Sequence, residues 1–313
     1  MTKSLAYLFP GQGAQYVGMG ADFLQAYPIA RQTVEEAEDT LGIKLRKLML
    51  DGPIEVLTET HNSQIAIYVL SMAILGVIED QFPSIMPSVC SGLSLGEYSA
   101  LTASGKLSYS KTLPIVYSRG IYMSEACEHH KGGMAVILGL SPSTVEKAVQ
   151  DAQLPNDLWV ANLNTPTQVV VSGTKKGIEY AEKKFKELGA KRVLPLQVHG
   201  AFHSGLMAEA EKRLRPQVES LPILNSEILL VMNVTGGLVR EVAQIRENLI
   251  KQVTHPVRWE QGIATCLNLG VSHFIEIGCG KTLKGLNRGI GVPIETLSIE
   301  KVEDLKQLEA LGG

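Results

Sequence analysis

Ser88-Val89-Cys90-Ser91-Gly92-Leu93-Ser94-Leu95-Gly96-Glu97-Tyr98-Ser99-Ala100-Leu101-Thr102-Ala103-Ser104 is the stretch that decides how the chain folds. Ser88 to Cys90 reads as the end of a buried strand and Glu97 to Ser104 as a helix, with a glycine-flanked turn between them. Upstream, Ser4 to Phe9 is a second short apolar run, broken by the loop Pro10-Gly11-Gln12-Gly13-Ala14-Gln15. Asp22 to Leu41 and Glu55 to Ile78 carry helical periodicity, punctuated by Asp51-Gly52-Pro53. Downstream, strand candidates stand at Ile228–Val231 and His273–Ile277. Strands that alternate with helices predict an α/β fold with a mostly parallel sheet.

One section breaks that rhythm. Met134–Gly139 reads as a strand and Ser143–Ala152 as a helix capped by Ser141 or Ser143. Trp159–Ala161 and Gln168–Val171 follow as strands around a turn at Asn164-Thr165-Pro166. Ile178–Leu188 is a helix ended by Gly189, and Arg192–Leu194 a last strand. The order β-α-β-β-α-β is ferredoxin-like. The expectation is a large α/β domain over 1–132 and 197–313, its parallel sheet hydrolase-like, with a ferredoxin-like domain inserted at 133–196.

A chain of 313 residues suits one large domain or two smaller ones, and 45% hydrophobic with 19% charged residues excludes a disordered polymer. Lys plus Arg is 29 and Asp plus Glu is 32, a net charge of −3, which gives no footprint for nucleic acid or an anionic membrane. An anionic substrate has to be met by local cations. Cys90, Cys127, Cys266 and Cys279 form no C-x-x-C pair and read as free thiols in a reducing compartment. Met1-Thr2-Lys3-Ser4-Leu5 opens no long apolar leader, and Ile65–Ile78 is too short to span a bilayer, so a cytoplasmic protein with no membrane segment is expected.

Gly92-Leu93-Ser94-Leu95-Gly96 fits G-x-S-x-G. The motif places a serine on a sharp strand-to-helix turn, its Oγ exposed where helix amides can meet an oxyanion. A serine needs a base. His129 and His130, beside Cys127 and Glu128, read as a solvated loop; His61, His255 and His273 stand alone; His199 and His203 lie in Val198–Ser204. Spacing alone pairs none of them with Ser94, which leaves a serine hydrolase or acyltransferase with its base open. Gly11-Gln12-Gly13 lacks the third glycine of a dinucleotide loop. Gly280-Lys281-Thr282 lacks the first glycine of a phosphate loop, which falls at Ile275.

The chain resembles the malonyl-CoA:acyl carrier protein transacylases of fatty acid synthesis, from Phe9 to about Arg288. Phe9-Pro-Gly-Gln-Gly-Ala-Gln15, Ser94-Leu-Gly-Glu-Tyr-Ser99, Ser118-Arg119-Gly120, Phe202-His203-Ser204, Asn233-Val234-Thr235, Gln252-Val-Thr-His-Pro-Val-Arg258 and Glu276-Ile277-Gly278 with Gly280-Lys281 follow the family's segments in order. The resemblance implies an enzyme that loads a malonyl group on Ser94, with His203 as general base and then acid. By the same resemblance, the backbone carbonyl of Gln252 would orient His203, the amides of Gln12 and Leu95 would form the oxyanion hole, and Arg119 would bind the malonyl carboxylate. Phe202 would crowd a methyl branch, and Met123, Asn162 and Val198 are candidates for the lining of the acyl pocket. It further implies acyl carrier protein and malonyl-CoA as partners, a monomer, and no metal or organic cofactor, since coenzyme A and phosphopantetheine are parts of substrates. Leu93 replaces a common His, Ala201 a common Pro and Cys279 another Pro. Within enzymes, a stand-alone acyltransferase of polyketide or malonate-decarboxylase metabolism shares every motif. A plain esterase orders its triad Ser, acid, His. A non-catalytic carrier-binding subunit needs none of Ser94, His203 or Arg119.

Overall fold

Leu5-Ala6-Tyr7-Leu8-Phe9 is buried at every position, and the alternation of its side chains divides them between two cores. Leu5, Tyr7 and Phe9 join one cluster; Ala6 and Leu8 join another on the opposite face. The structure of the protein, a computed structural model, describes residues 4–198 and 200–311. Met1, Thr2 and Lys3 of the N-terminal stretch with no apolar leader, and the candidate base His199, lie outside the described residues.

Among the described residues the strands, in chain order, are β1 (Leu5–Phe9), β2 (Val89–Gly92), β3 (Gly132–Leu138), β4 (Leu158–Thr165), β5 (Gln168–Thr174), β6 (Arg192–Pro195), β7 (Leu229–Met232), β8 (Gly237–Val239), β9 (His273–Ile277) and β10 (Thr296–Ile299). The larger sheet has the order β10-β9-β1-β2-β7-β8. Its pairings are parallel except at the edge, where β8 runs antiparallel to β7. Parallel strands are apolar on both faces because helices cover both. Helices Pro28–Leu41, Thr60–Gln81 and Tyr109–His129 pack on the side of Tyr7 and Phe9. Trp259–Asn268 and Thr282–Ile290 pack on the side of Ala6 and Leu8.

Thr60–Gln81 is longer than the apolar stretch read in the sequence. It is long and apolar enough to cross a membrane, yet 83% of its most apolar window is buried inside the protein. A helix that is hydrophobic all round belongs in the core of a large domain.

The smaller sheet has the order β4-β5-β3-β6, antiparallel throughout. Helices Pro142–Asp151 and Lys175–Glu187 cover one face, enclosing Ala135, Ile137, Val169, Val171 and Phe185. This is the ferredoxin-like strand order. The alternate residues Met134, Val136 and Val170 leave that core and line a cavity against the larger unit. Backbone bonds seal the junction: Leu163 N donates to Val257 O and Val257 N to Ala161 O, each at 2.8 Å.

Several local readings need correction. Asp22–Leu41 is two helices, Ala21–Ala26 and Pro28–Leu41, because Pro28 starts a new one and forces Tyr27 into an extended backbone. The run from Glu55 to Ile78 is likewise divided at Glu59, between Ile54–Thr58 and Thr60–Gln81. Asn164 and Thr165 belong to β4, so the turn is Pro166-Thr167. Cys127, Glu128 and His129 form the last turn of a helix rather than a loop. Of the two candidate caps, Ser141 is the one used, accepting from Thr144 N.

Candidate active site

β2 ends at Gly92 and the next helix, Gly96–Ala103, begins four residues later. The turn is that tight only because both ends are glycine. A Cβ on Gly92 would stand 2.1 Å from the carbonyl carbon of Gly96, and one on Gly96 would stand 2.1 Å from Phe9 O. Ser94 at the apex has φ +52, in the left-handed region that side chains disfavour. Asn233, just after β7, braces the turn: its Oδ1 accepts from Ser94 N and its Nδ2 donates to Gly92 O, both at 2.7 Å.

Ser94 Oγ lies 2.9 Å from Nε2 of His203. On the far side of the ring, Nδ1 is 2.8 Å from the backbone carbonyl of Gln252. A carbonyl only accepts, so Nδ1 carries the proton and Nε2 is left as the acceptor for the serine hydroxyl. His203 also has a left-handed backbone, φ +56. Its segment is held by Ser172, whose hydroxyl donates to Phe202 O, and by Ser204, whose hydroxyl donates to Ala201 O and accepts from Leu206 N. Burial, and secondarily the charge of Arg119, push the imidazole down to about 4, so it is neutral at physiological pH.

Arg119 is 1% exposed on helix Tyr109–His129. Nη2 donates to Ser94 Oγ at 3.1 Å and to Gln252 Oε1 at 2.9 Å; Nη1 donates to Gln64 Oε1 at 2.5 Å. Nε is buried with no hydrogen-bond partner among the described residues, and the guanidinium lies 5.6 Å from the centre of the Tyr98 ring. Every acceptor it meets is an amide or a hydroxyl. A buried cation without a carboxylate on it is costly, and an arriving anion relieves that cost.

These groups open on a cavity of about 280 Å³ between the two sheets. Gln12, Leu93, Ser94, Arg119, Met123, Asn162, Val198, Phe202 and His203 all border it. Leu95 does not: its side chain packs in the main core, and what it offers is the amide at the N-cap of helix Gly96–Ala103, where first-turn amides lack acceptors in the helix. Gln252 is fully buried behind Ser94 and His203, and it contributes its side chain as well as its carbonyl. Ala201 and Cys279 are buried packing residues. The side chains of His61, His255 and His273 bond locally or pair with Glu59 and do not border this cavity.

Three further residues reach the site: Asn233 and Glu97, which lie in family segments but carry no role read from the sequence, and Gln64, which no motif marks. Gln64 holds Arg119 and also donates to Met123 Sδ at 3.5 Å. Asn233 braces the serine turn. Glu97 is wholly buried, accepting from Asn233 N and Gln252 Nε2; burial pushes its carboxyl up to about 7, with those donors and Arg119 pulling the other way.

A family model described as an acyl transferase domain matches residues 6–288. A malonyl CoA-acyl carrier protein transacylase of Bacillus subtilis is 39% identical over 305 residues, 97% of this chain and 96% of that protein. The protein of the same description in Escherichia coli K12 is 35% identical, covering 97% of each. Among solved structures, a malonyl-transacylase in complex with its type II PKS acyl-carrier protein superposes with a TM-score of 0.93 at 34% identity, covering 97% of this chain and 98% of that one. One described as MCAT from Streptococcus pneumoniae gives 0.92 at 36% identity, with 97% and 99% covered.

Proposed function

This chain belongs to the acyl transferase domain family, and we propose that it moves a malonyl group from malonyl-CoA to the phosphopantetheine thiol of an acyl carrier protein, through an ester on Ser94, to supply fatty acid synthesis. The observation that carries the choice of acyl group is Arg119, buried against the nucleophile and, among the described residues, hydrogen-bonded only to neutral groups. A guanidinium holds a carboxylate through two parallel hydrogen bonds. An acetyl group leaves it unpaired.

The proton path follows from the tautomer. Ser94 Oγ attacks the thioester carbon as its proton passes to His203 Nε2. The oxyanion is met by the amides of Leu95 and Gln12, each such donor supplying about 3–4 kcal/mol of barrier reduction. The C–S bond then breaks, and the departing coenzyme A sulfur takes the proton from His203. In the second half the carrier's thiol gives its proton to His203 and attacks the ester, and Ser94 leaves and regains a proton. The Gln252 carbonyl keeps the ring in the tautomer that both halves need. A neutral imidazole and backbone amides carry this chemistry without a metal or an organic cofactor.

Phe202, Met123, Asn162 and Val198 are assigned to the acyl pocket, Phe202 against a branched chain. A second reading, with a polyketide carrier, is favoured by one observation: the similarity to a malonyl-transacylase solved in complex with its type II PKS acyl-carrier protein. A monomer acting in the cytoplasm completes the proposal; the four free, buried thiols support a reducing compartment.

Intact mass after incubation with malonyl-CoA or acetyl-CoA tests it. A malonyl adduct on wild type, absent in Ser94→Ala and far stronger than any acetyl adduct, is expected. A preference for acetyl overturns the reading of Arg119, and no adduct from any acyl-CoA overturns the transferase mechanism.

A further inference from the structure

The carboxylate of Glu97 makes no contact with the cavity, yet it touches two of the segments that build the site. Oε2 accepts from the backbone N–H of Asn233 at 2.6 Å, and Oε1 accepts from Nε2 of Gln252 at 2.9 Å. Asn233 in turn holds the amide of Ser94 and the carbonyl of Gly92. Gln252 holds Ser94 O and Arg119 through its side chain and His203 through its carbonyl. Glu97 also hangs from the nucleophile's own turn, its N–H donating to Ser94 O at 3.1 Å. One side chain thus ties the serine turn, the end of β7 and the end of helix Val242–Lys251 together.

We propose that Glu97 is a positioning residue for acyl transfer, fixing Gln252 and Asn233 and through them the ring of His203 and the turn that carries Ser94. The inference rests on the reading of Ser94 and His203 as the reacting pair. Both oxygens of Glu97 face N–H donors, so the geometry fits a side chain that accepts at both ends. Glutamine has the same shape but turns one end into a donor, setting N–H against N–H. The segment that yields carries Gln252 or Asn233 with it, and small displacements in a reacting pair are costly.

The test compares wild type with Glu97→Gln and Glu97→Asp in the full chain, each first shown to unfold cooperatively. Ser94 reactivity is read as its labelling rate by a fluorophosphonate, and malonyl transfer as separate kcat and KM values. In Glu97→Gln, labelling and kcat are expected to fall on the order of 100-fold, with KM for malonyl-CoA within about threefold of wild type. Glu97→Asp, which keeps the charge on a shorter stem, is expected to recover part of the loss. Wild-type labelling and kcat in a folded Glu97→Gln, or a loss confined to KM, overturns the proposal. If the glutamine variant does not fold, Glu97→Asp decides: a fall of about tenfold in kcat supports the role, and wild-type kcat overturns it. A wild type that takes the fluorophosphonate but no malonyl group overturns the malonyl reading instead, and the labelling rates still decide the role of Glu97.

Discussion

Ser94 and His203 meet at 2.9 Å with both backbones in left-handed conformations, φ +52 and +56. Neither residue is glycine, so the contact that makes the nucleophile is held by a fold that keeps two unfavourable torsions in place.

That strain is measurable. Ser94→Ala and Ser94→Gly both lose the hydroxyl and should both lose acyl labelling. Only glycine relaxes at positive φ, so Ser94→Gly should unfold at higher denaturant than Ser94→Ala, by about 1 kcal/mol. Equal midpoints would show that the left-handed torsion is not strained.

The pH dependence has a defined sign. His203 is lowered from 6.5 to about 4, so its base form is present through neutral pH and is lost only as pH falls through about 4. Fluorophosphonate labelling of wild type should be flat from neutrality down to mildly acidic pH and then drop. Arg119→Gln removes the second cause of the depression, so the drop should move to higher pH. It should stay below the 6.5 of a free imidazole, because burial, the larger cause, remains. An unmoved limb would show that Arg119 does not set the base.

Gln64 should tune acyl choice through Arg119. Its amide oxygen takes Nη1, and a hydrogen bond to a charged group is worth about 1.5–3 kcal/mol. Gln64→Ala should lower kcat/KM for malonyl-CoA roughly 10- to 100-fold and leave any acetyl transfer much less changed. Equal losses for both donors would make Gln64 a packing residue only.

Gly96 tests the serine turn. A methyl group there collides with Phe9 O at 2.1 Å. Gly96→Ala should destabilise the protein by about 1–3 kcal/mol and cut Ser94 labelling, whereas Gly285→Ala, with open space around it, should do neither. A wild-type melting curve for Gly96→Ala would mean that the turn can yield.

The alternation of apolar runs and periodic segments made the α/β class legible, because parallel strands buried on both faces advertise themselves as unbroken hydrophobic stretches such as Ser4–Phe9. Helix Tyr109–His129 was harder to see: Pro114 and Gly120 interrupt its pattern, and Gly120 is there because a Cβ would meet His61 Cα at 2.6 Å. The serine turn was readable from its flanking glycines. Its partner was not, since His203 stands 109 residues away and only resemblance distinguished it from the other histidines. Gln64, and the role of Glu97 within its motif, were illegible for a related reason. Polar residues on a helix read as a solvated face, and only packing against distant segments buries them.

β1 lies in the middle of the larger sheet, bonded on one flank to β2 and on the other to β9. Ser4 N donates to a serine hydroxyl 268 residues later, at Ser272. During synthesis the first strand therefore emerges early and waits with one edge bare until nearly the whole chain has followed. Contacts of such long range make folding slow and leave that edge available to other chains in the meantime. The same wait delays activity: Phe9, whose carbonyl supports the serine turn by accepting from Leu93 N, belongs to a strand that only residues 273–277 can complete, so a ribosome-bound fragment ending before them has its nucleophile but no finished floor beneath it.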